Sequence, residues 1–83
     1  MDYELSEHAG DALAKRKIPM GWLERVLVSP QLIEPDSEDK ALEHRLAAIP
    51  EHGNRVLRVI VNLQVKPVRV VTLYFDRGMK GRL

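Results

Sequence analysis

Apolar and polar positions change period halfway along this chain, and that change divides it into a helical front and a sheet-forming back. Residues Arg55–Leu63 and Val68–Asp76 are dense in Val, Ile, Leu, Thr, Tyr and Phe, side chains that suit a pleated, half-buried surface. The break between them, around Gln64–Pro67, has the length of a hairpin connection. Alternation sorts each run by face. Leu57, Val59, Val61 and Leu63 share one side of the first strand, and Val71, Leu73 and Phe75 share one side of the second. The opposite sides read Val56, Arg58, Ile60, Asn62 and Val70, Thr72, Tyr74, Asp76, a mixture that suits a floor for something polar. Arg55–Leu63 is apolar on both sides for much of its length, as expected of a central strand. Val59 and Leu73 are expected in the core.

In the front half the period is helical. Tyr3–Leu5 reads as a short strand, and Ser6 as the N-cap of a helix over Glu7–Lys17 that turns Ala9, Ala12 and Leu13 inward. At roughly 100° per residue Arg16 falls inside that apolar arc, with His8 at its edge. A second helix spans Met20–Val28 with Trp22, Leu23, Val26 and Leu27 inward, and Ser29-Pro30 ends it. Ser37–Ile49 has helix-forming composition, with Leu42, Leu46 and Ile49 at helical spacing. The turn residues Pro50, Gly53 and Asn54 before Arg55 favour a strand over Ala41–Ile49 instead, because a lone hairpin is rarely stable. The resulting fold class is α+β, β-α-α-β-β-β, with two N-terminal helices packed on one face of an antiparallel sheet. Its one open question is register. With Ala48 opposite Val56, His44 joins the Arg58 face; with Ile49 opposite Val56, Arg45 does.

Eighty-three residues make one domain, residues 1–83, near the lower end of what folds without staples. The absence of cysteine removes disulfides and thiolate metal sites. An acidic, polar start without a signal peptide, and no apolar run near the roughly 20 residues a membrane span needs, point to the cytoplasm and away from membranes. The net charge of +1 hides a split: five basic against nine acidic residues in 1–40, and eight against three in 41–83. The sheet half is where a phosphate-bearing partner is expected.

LSEHAGDALAKRKIP, then a short helix ending in SP, then LEHRL, RVLRVIV and VVTLYFDR, together resemble the domain-of-unknown-function family 4258. These are small bacterial proteins similar in fold to the RelE/ParE and BrnT toxins. The resemblance covers nearly the whole chain. It implies the β-α-α-β-β-β order and a strand at Ala41–Ile49. It also implies that basic and hydroxyl residues on the exposed sheet face are the place to look for RNA chemistry.

Metal-independent RNA cleavage must activate a 2′-OH, stabilise a phosphorane and protonate a leaving 5′-oxygen. Histidine suits the proton transfers, the arginine fork suits phosphate, and hydroxyl donors help hold developing charge. The candidates are His8 and His44 for proton transfer, Arg16 and Arg58 for phosphate, and Thr72 and Tyr74 in support; Arg45, Arg55 and Arg77 would steer RNA by charge. Each has a structural alternative. His8 could bond back to its strand, Arg16 could pair with Asp76, His44 could be an ordinary strand histidine, and Arg58, Thr72 and Tyr74 could form a cross-strand cluster. His52 reads as solvated, Trp22 as core, and GMKGRL as a basic, partly mobile tail. Three histidines without paired ligand spacing match no metal pattern, and no cofactor is expected. The function expected is a toxin-like, metal-independent ribonuclease or RNA-interacting domain of a toxin–antitoxin type, partnered by RNA and a cognate antitoxin. The alternative is a non-catalytic module of the same fold that binds a protein through its exposed strand edge.

Overall fold

Backbone and side chains of residues Met1–Leu83 are described by a computed structural model. In chain order the elements are β1 (Tyr3–Leu5), α1 (Glu7–Arg16), α2 (Met20–Val28), β2 (Leu32–Pro35), β3 (Leu42–Ile49), β4 (Arg55–Asn62) and β5 (Val68–Phe75). Short 3-10 turns lie at Pro50–His52 and Arg77–Met79. The α+β class and the helix–sheet layering agree with the sequence. The sheet has five strands in the order β1-β5-β4-β3-β2, with β4 central. Two details differ from expectation: β1 pairs with β5 in parallel, so the sheet is mixed, and β2 is an additional strand antiparallel to β3.

Local chemistry explains the helix ends. Ser6 Oγ accepts the Ala9 N–H at 3.0 Å and donates to the Val71 carbonyl at 2.6 Å, so one hydroxyl both caps α1 and ties its start to β5. Lys17 closes α1 in the left-handed region (φ 52°), and the following Ile18 N–H returns to the Leu13 carbonyl. Above the sheet, Ala9 and Leu13 from α1, Ile18, and Leu23, Val26 and Leu27 from α2 are buried. They pack with Ala47, Ile49, Leu57, Val59, Val61, Val70 and Leu73.

One irregularity moves side chains between faces. The β4–β5 register shifts between Ile60 and Val61: Ile60 lies opposite Thr72 and Val61 opposite Val70, leaving Val71 as the extra residue of a bulge. Val70 is therefore fully buried and Val71 half-buried, the reverse of plain alternation. Leu63, which alternation sets on the same side as Val59, lies past the end of β4 and is exposed.

The β3–β4 register places Ala48 opposite Val56, which settles the open question and brings His44 onto the Arg58 face. That second face carries apolar cover of its own. Leu32, Leu46, Arg58 and Tyr74 are successive neighbours across four strands, and Leu46 and Val56 are completely buried there. The C-terminal residues are more than a tail. Asp76 Oδ1 accepts the Gly78 N–H at 3.0 Å and caps the Arg77–Met79 turn. Gly81 and Leu83 then share a cleft with Ala48 and Val56. No helix is long and apolar enough to cross a membrane.

Candidate functional site: a cationic groove at the end of the sheet

At the end of the sheet where β4 begins and β5 ends, a groove of about 490 Å³ is lined by Arg16, His52, Arg55, Phe75, Asp76, Arg77 and Lys80. Each residue arrives there for a local reason. Arg16 sits in the last turn of α1, where a cation suits the helix dipole. Pro50 begins the 3-10 turn that presents His52, and Gly53 (φ 65°) and Asn54 (φ 58°) reverse the chain into Arg55. The capped turn after β5 projects Arg77, with Lys80 just beyond.

Two features stiffen the His52 side. Arg25 of α2 grips Glu51 through both guanidinium nitrogens, at 2.8 and 2.5 Å. This fork holds the Glu51 carboxyl down at about 2, with the Arg25 hydrogen bond the largest cause. The His52 ring lies 5.4 Å from Trp22 and 4.8 Å from Phe75, and those two are 6.3 Å apart. His52 is thus held in an aromatic cluster rather than freely solvated. Its Nε2 lies 3.4 Å from Arg55 Nη1.

A second groove adjoins the first. It runs along the edge of β5 that no strand covers, lined by His8, Asp11, Ala12, Lys15 and Arg16 of α1 and by Thr72, Leu73 and Tyr74 of β5. Arg16 lines both grooves. It is exposed rather than set in the apolar arc of α1, because Ala9 and Leu13 alone supply the buried stripe. It makes no ion pair with Asp76, although the two share a groove.

On the far face of the sheet a chain of polar contacts engages the remaining candidates. His44 Nε2 lies 2.7 Å from Asp36 Oδ1, and Arg58 Nη1 donates to His44 Nδ1 at 2.8 Å. With Nδ1 accepting, the ring hydrogen sits on Nε2 and is donated to Asp36. Arg58 Nε also donates to Asp76 Oδ2 at 2.9 Å, with Nη2 in ion-pair contact at the same distance, and Nη1 reaches Glu34 Oε1 at 3.4 Å. Backbone N–H groups of Asp39 and Glu38 together with His44 hold the Asp36 carboxyl below its ordinary range, the Asp39 bond contributing most. Arg58 is only 13% exposed, it makes three hydrogen bonds, and its charge is already paired with Asp76 and Glu34. It is therefore not the free phosphate fork that alternation alone suggests.

The structure thus separates the expected residues into three places. His8, Arg16, Thr72 and Tyr74 come together beside α1; Arg16, Arg55 and Arg77 come together in the cationic groove; His44 and Arg58 bond to each other in the polar chain. Arg45 stands apart, on the helix side of the sheet. Its Nη1 donates to the Leu27 carbonyl at the end of α2 at 2.6 Å and its Nε to Glu43 at 2.8 Å, so it caps a helix rather than steering a ligand. Sequence reasoning missed His52, Lys80 and Lys15 as groove residues, and the roles of Asp36, Glu34 and Asp76 around Arg58. The proximity of His52 to Trp22 joins residues thirty positions apart, and no local pattern reports it. Asp76, by contrast, directly follows an alternating strand and precedes Arg77-Gly78, a turn signal that marks it as a cap.

Neither a curated protein nor a solved structure matches this chain. The family model described as Domain of unknown function (DUF4258) matches residues 5–75, from the end of β1 through the last residue of β5. It therefore takes in α1, both helix caps, the bulge and every strand that frames the two grooves, and the chain belongs to this family.

Proposed function

We propose that this domain acts on RNA as a toxin-like ribonuclease of the RelE/ParE and BrnT type, with its phosphate site in the cationic groove. The observation that carries the reading is the convergence of Arg16, Arg55, Arg77 and Lys80 in one groove, none of them in an ion pair. Unpaired cations in a shared concavity attract a polyanion and release its counterions. Arg16 leads from there into the groove of His8, Thr72 and Tyr74, where the cleavage chemistry is placed. His8 takes the proton of a 2′-OH, and the 2′-oxygen attacks phosphorus while Arg16 holds the non-bridging oxygens. Tyr74 donates a proton to the 5′-oxygen as the P–O5′ bond breaks and is reprotonated from solvent, to which His8 releases the proton it took. The products are a 2′,3′-cyclic phosphate and a free 5′-hydroxyl, and no metal takes part.

The test is purified full-length chain against mixed-sequence RNA, measured for binding across a salt series and for cleavage with and without chelator. Three or four neutralised phosphates give a slope of log affinity on log salt of about −2 to −3 for single strands. Arg55→Ala and Arg77→Ala should each reduce that slope by about 0.7. His8→Ala should lower cleavage far more than binding. Chelator-sensitive cleavage would contradict the metal-free route. A folded protein that neither binds nor cleaves would favour the second reading, a protein-binding module. One feature supports that reading: β1 pairs only with Val68–Val70, so no strand covers the outer edge of β5 from Thr72 to Phe75, where a partner strand could add.

A further inference from the structure

The cationic groove is larger than a phosphate requires, and its one apolar wall is aromatic. A groove of about 490 Å³ falls in the range of small-molecule sites rather than of a lone inorganic anion. Phe75 is its only hydrophobic lining residue, and His52 stands beside it. The ring centroids of Trp22, His52 and Phe75 form a triangle with sides of 5.4, 4.8 and 6.3 Å. In such a triangle no ring is sandwiched between the other two, since that would put the outer pair roughly twice as far apart. His52 and Phe75 are both half-buried and both line the groove, so each keeps surface toward it. Trp22 does not line the groove and backs the cluster. The Arg25–Glu51 fork fixes the short turn that carries His52, so the ring does not have to be ordered when a ligand arrives. Around this aromatic wall stand the guanidinium groups of Arg16, Arg55 and Arg77 and the Lys80 ammonium.

We propose that the groove takes one unpaired nucleotide, its base stacked on the His52–Phe75 wall and its phosphates held by Arg16, Arg55, Arg77 and Lys80. This rests on the RNA reading of the same groove and adds the form of the substrate: single-stranded, with one base turned out of its stack. A duplex buries its base faces in its own stack, so it can offer the phosphates but not the aromatic contact. Every base has a π-face, so the wall selects for unpaired bases and not for one sequence. The shared chemistry is that of a nucleoside phosphate, whether it belongs to a strand or is free in solution.

The molecule carries its own reporter, because Trp22 is the only tryptophan and belongs to the aromatic cluster. Full-length protein is titrated with mixed-sequence single-stranded RNA, with the same RNA as a duplex, with an abasic ribose-phosphate strand of equal length, and with adenosine 5′-monophosphate. Affinity and Trp22 emission are followed together. Single-stranded RNA should bind roughly 5- to 150-fold more tightly than the abasic strand and should alter Trp22 emission, which the abasic strand and the duplex leave unchanged. His52→Ala should remove most of that difference while leaving the salt slope intact, and Phe75→Leu should weaken it with the fold preserved by size. Saturation by the mononucleotide with the same emission change would assign the site to a free nucleotide; a response only to strands would assign it to RNA. Equal binding of intact and abasic strands, with a normal salt slope and silent Trp22, would overturn the stacking site and leave the RNA reading standing. Absence of binding by every probe would overturn both.

Discussion

Replacement of Arg58 by Ala tests the most tightly bonded polar residue of the domain. Its guanidinium makes one hydrogen bond to Asp76 through Nε and an ion-pair contact through Nη2, both at 2.9 Å, one bond to His44 at 2.8 Å and a longer one to Glu34 at 3.4 Å. Hydrogen bonds to charged groups contribute roughly 1.5–3 kcal/mol each, net of competition with water, and their sum overstates the loss because the abandoned acceptors rehydrate. Removing one partner of a fully buried pair costs about 3–5 kcal/mol. Asp76 keeps 22% of its side-chain surface and Glu34 keeps 46%, so water recovers part of that, and a loss of about 2–4 kcal/mol is expected. A domain of 83 residues has roughly 4–12 kcal/mol in total at 0.05–0.15 kcal/mol per residue, so the variant should fold but melt at clearly lower urea. Arg58→Ala combined with Asp76→Asn should recover about 1–2 kcal/mol, because the amide keeps the Gly78 N–H bond without leaving a charge unpaired. Equilibrium urea melts followed by circular dichroism give both numbers. A loss under about 1 kcal/mol, or no recovery in the double variant, would refute the view that Arg58 works chiefly by neutralising Asp76.

Two further outcomes follow from packing and from titration. Val70→Ala should cost about 1–3 kcal/mol and Leu73→Ala about 2–5 kcal/mol, while Val71→Ala should cost less than either; urea melts ranking Val71 above Val70 would remove the bulge. Glu51 has its pKa lowered from 4.5 to about 2, so its contribution is fully present above pH 4.5 and is lost as pH falls toward 2. Arg25→Gln should therefore flatten the pH dependence of the melting temperature between about pH 5 and pH 2.5 relative to wild type, and superimposable profiles would show that the fork adds nothing.

Most of the architecture was legible because strong local signals agreed with one another. Ser6 marked the start of α1 and Ser29-Pro30 the end of α2, and period-two runs marked β4 and β5. The segment at Leu42–Ile49 is the informative case. Its composition favours helix, yet the demand of a neighbouring strand for a partner overrides the intrinsic preference, and it forms β3. Two things escaped. β2 is four residues ending in proline, too short for periodicity and placed on an edge where proline is tolerated. The bulge at Val71 inserts one residue into an otherwise regular run, and alternation carried across it assigns Val70 and Val71 to the wrong faces.

The site was legible in residue types but not in partnerships, and partnership is what separates a structural cation from a binding one. The basic half of the chain, residues 41–83, contains three carboxylates, and each is taken by an arginine: Glu43 by Arg45, Glu51 by Arg25 and Asp76 by Arg58. Arg69 pairs with Glu4 across β1 and β5. With these matched, Arg16, Arg55, Arg77 and Lys80 are left without ion pairs, and they meet in one groove. A net charge of +1 gives no hint of this, because the acids that balance it lie elsewhere: Asp36 and Glu34 in the polar chain around His44 and Arg58, and the others of the first half outside the cationic groove. Asp76 is the one carboxylate inside the groove, and Arg58 holds it from the far side of the sheet. Arg58, chosen from the sequence as a phosphate ligand, acts on this geometry one step removed: it keeps the groove positive by occupying the only anion within it.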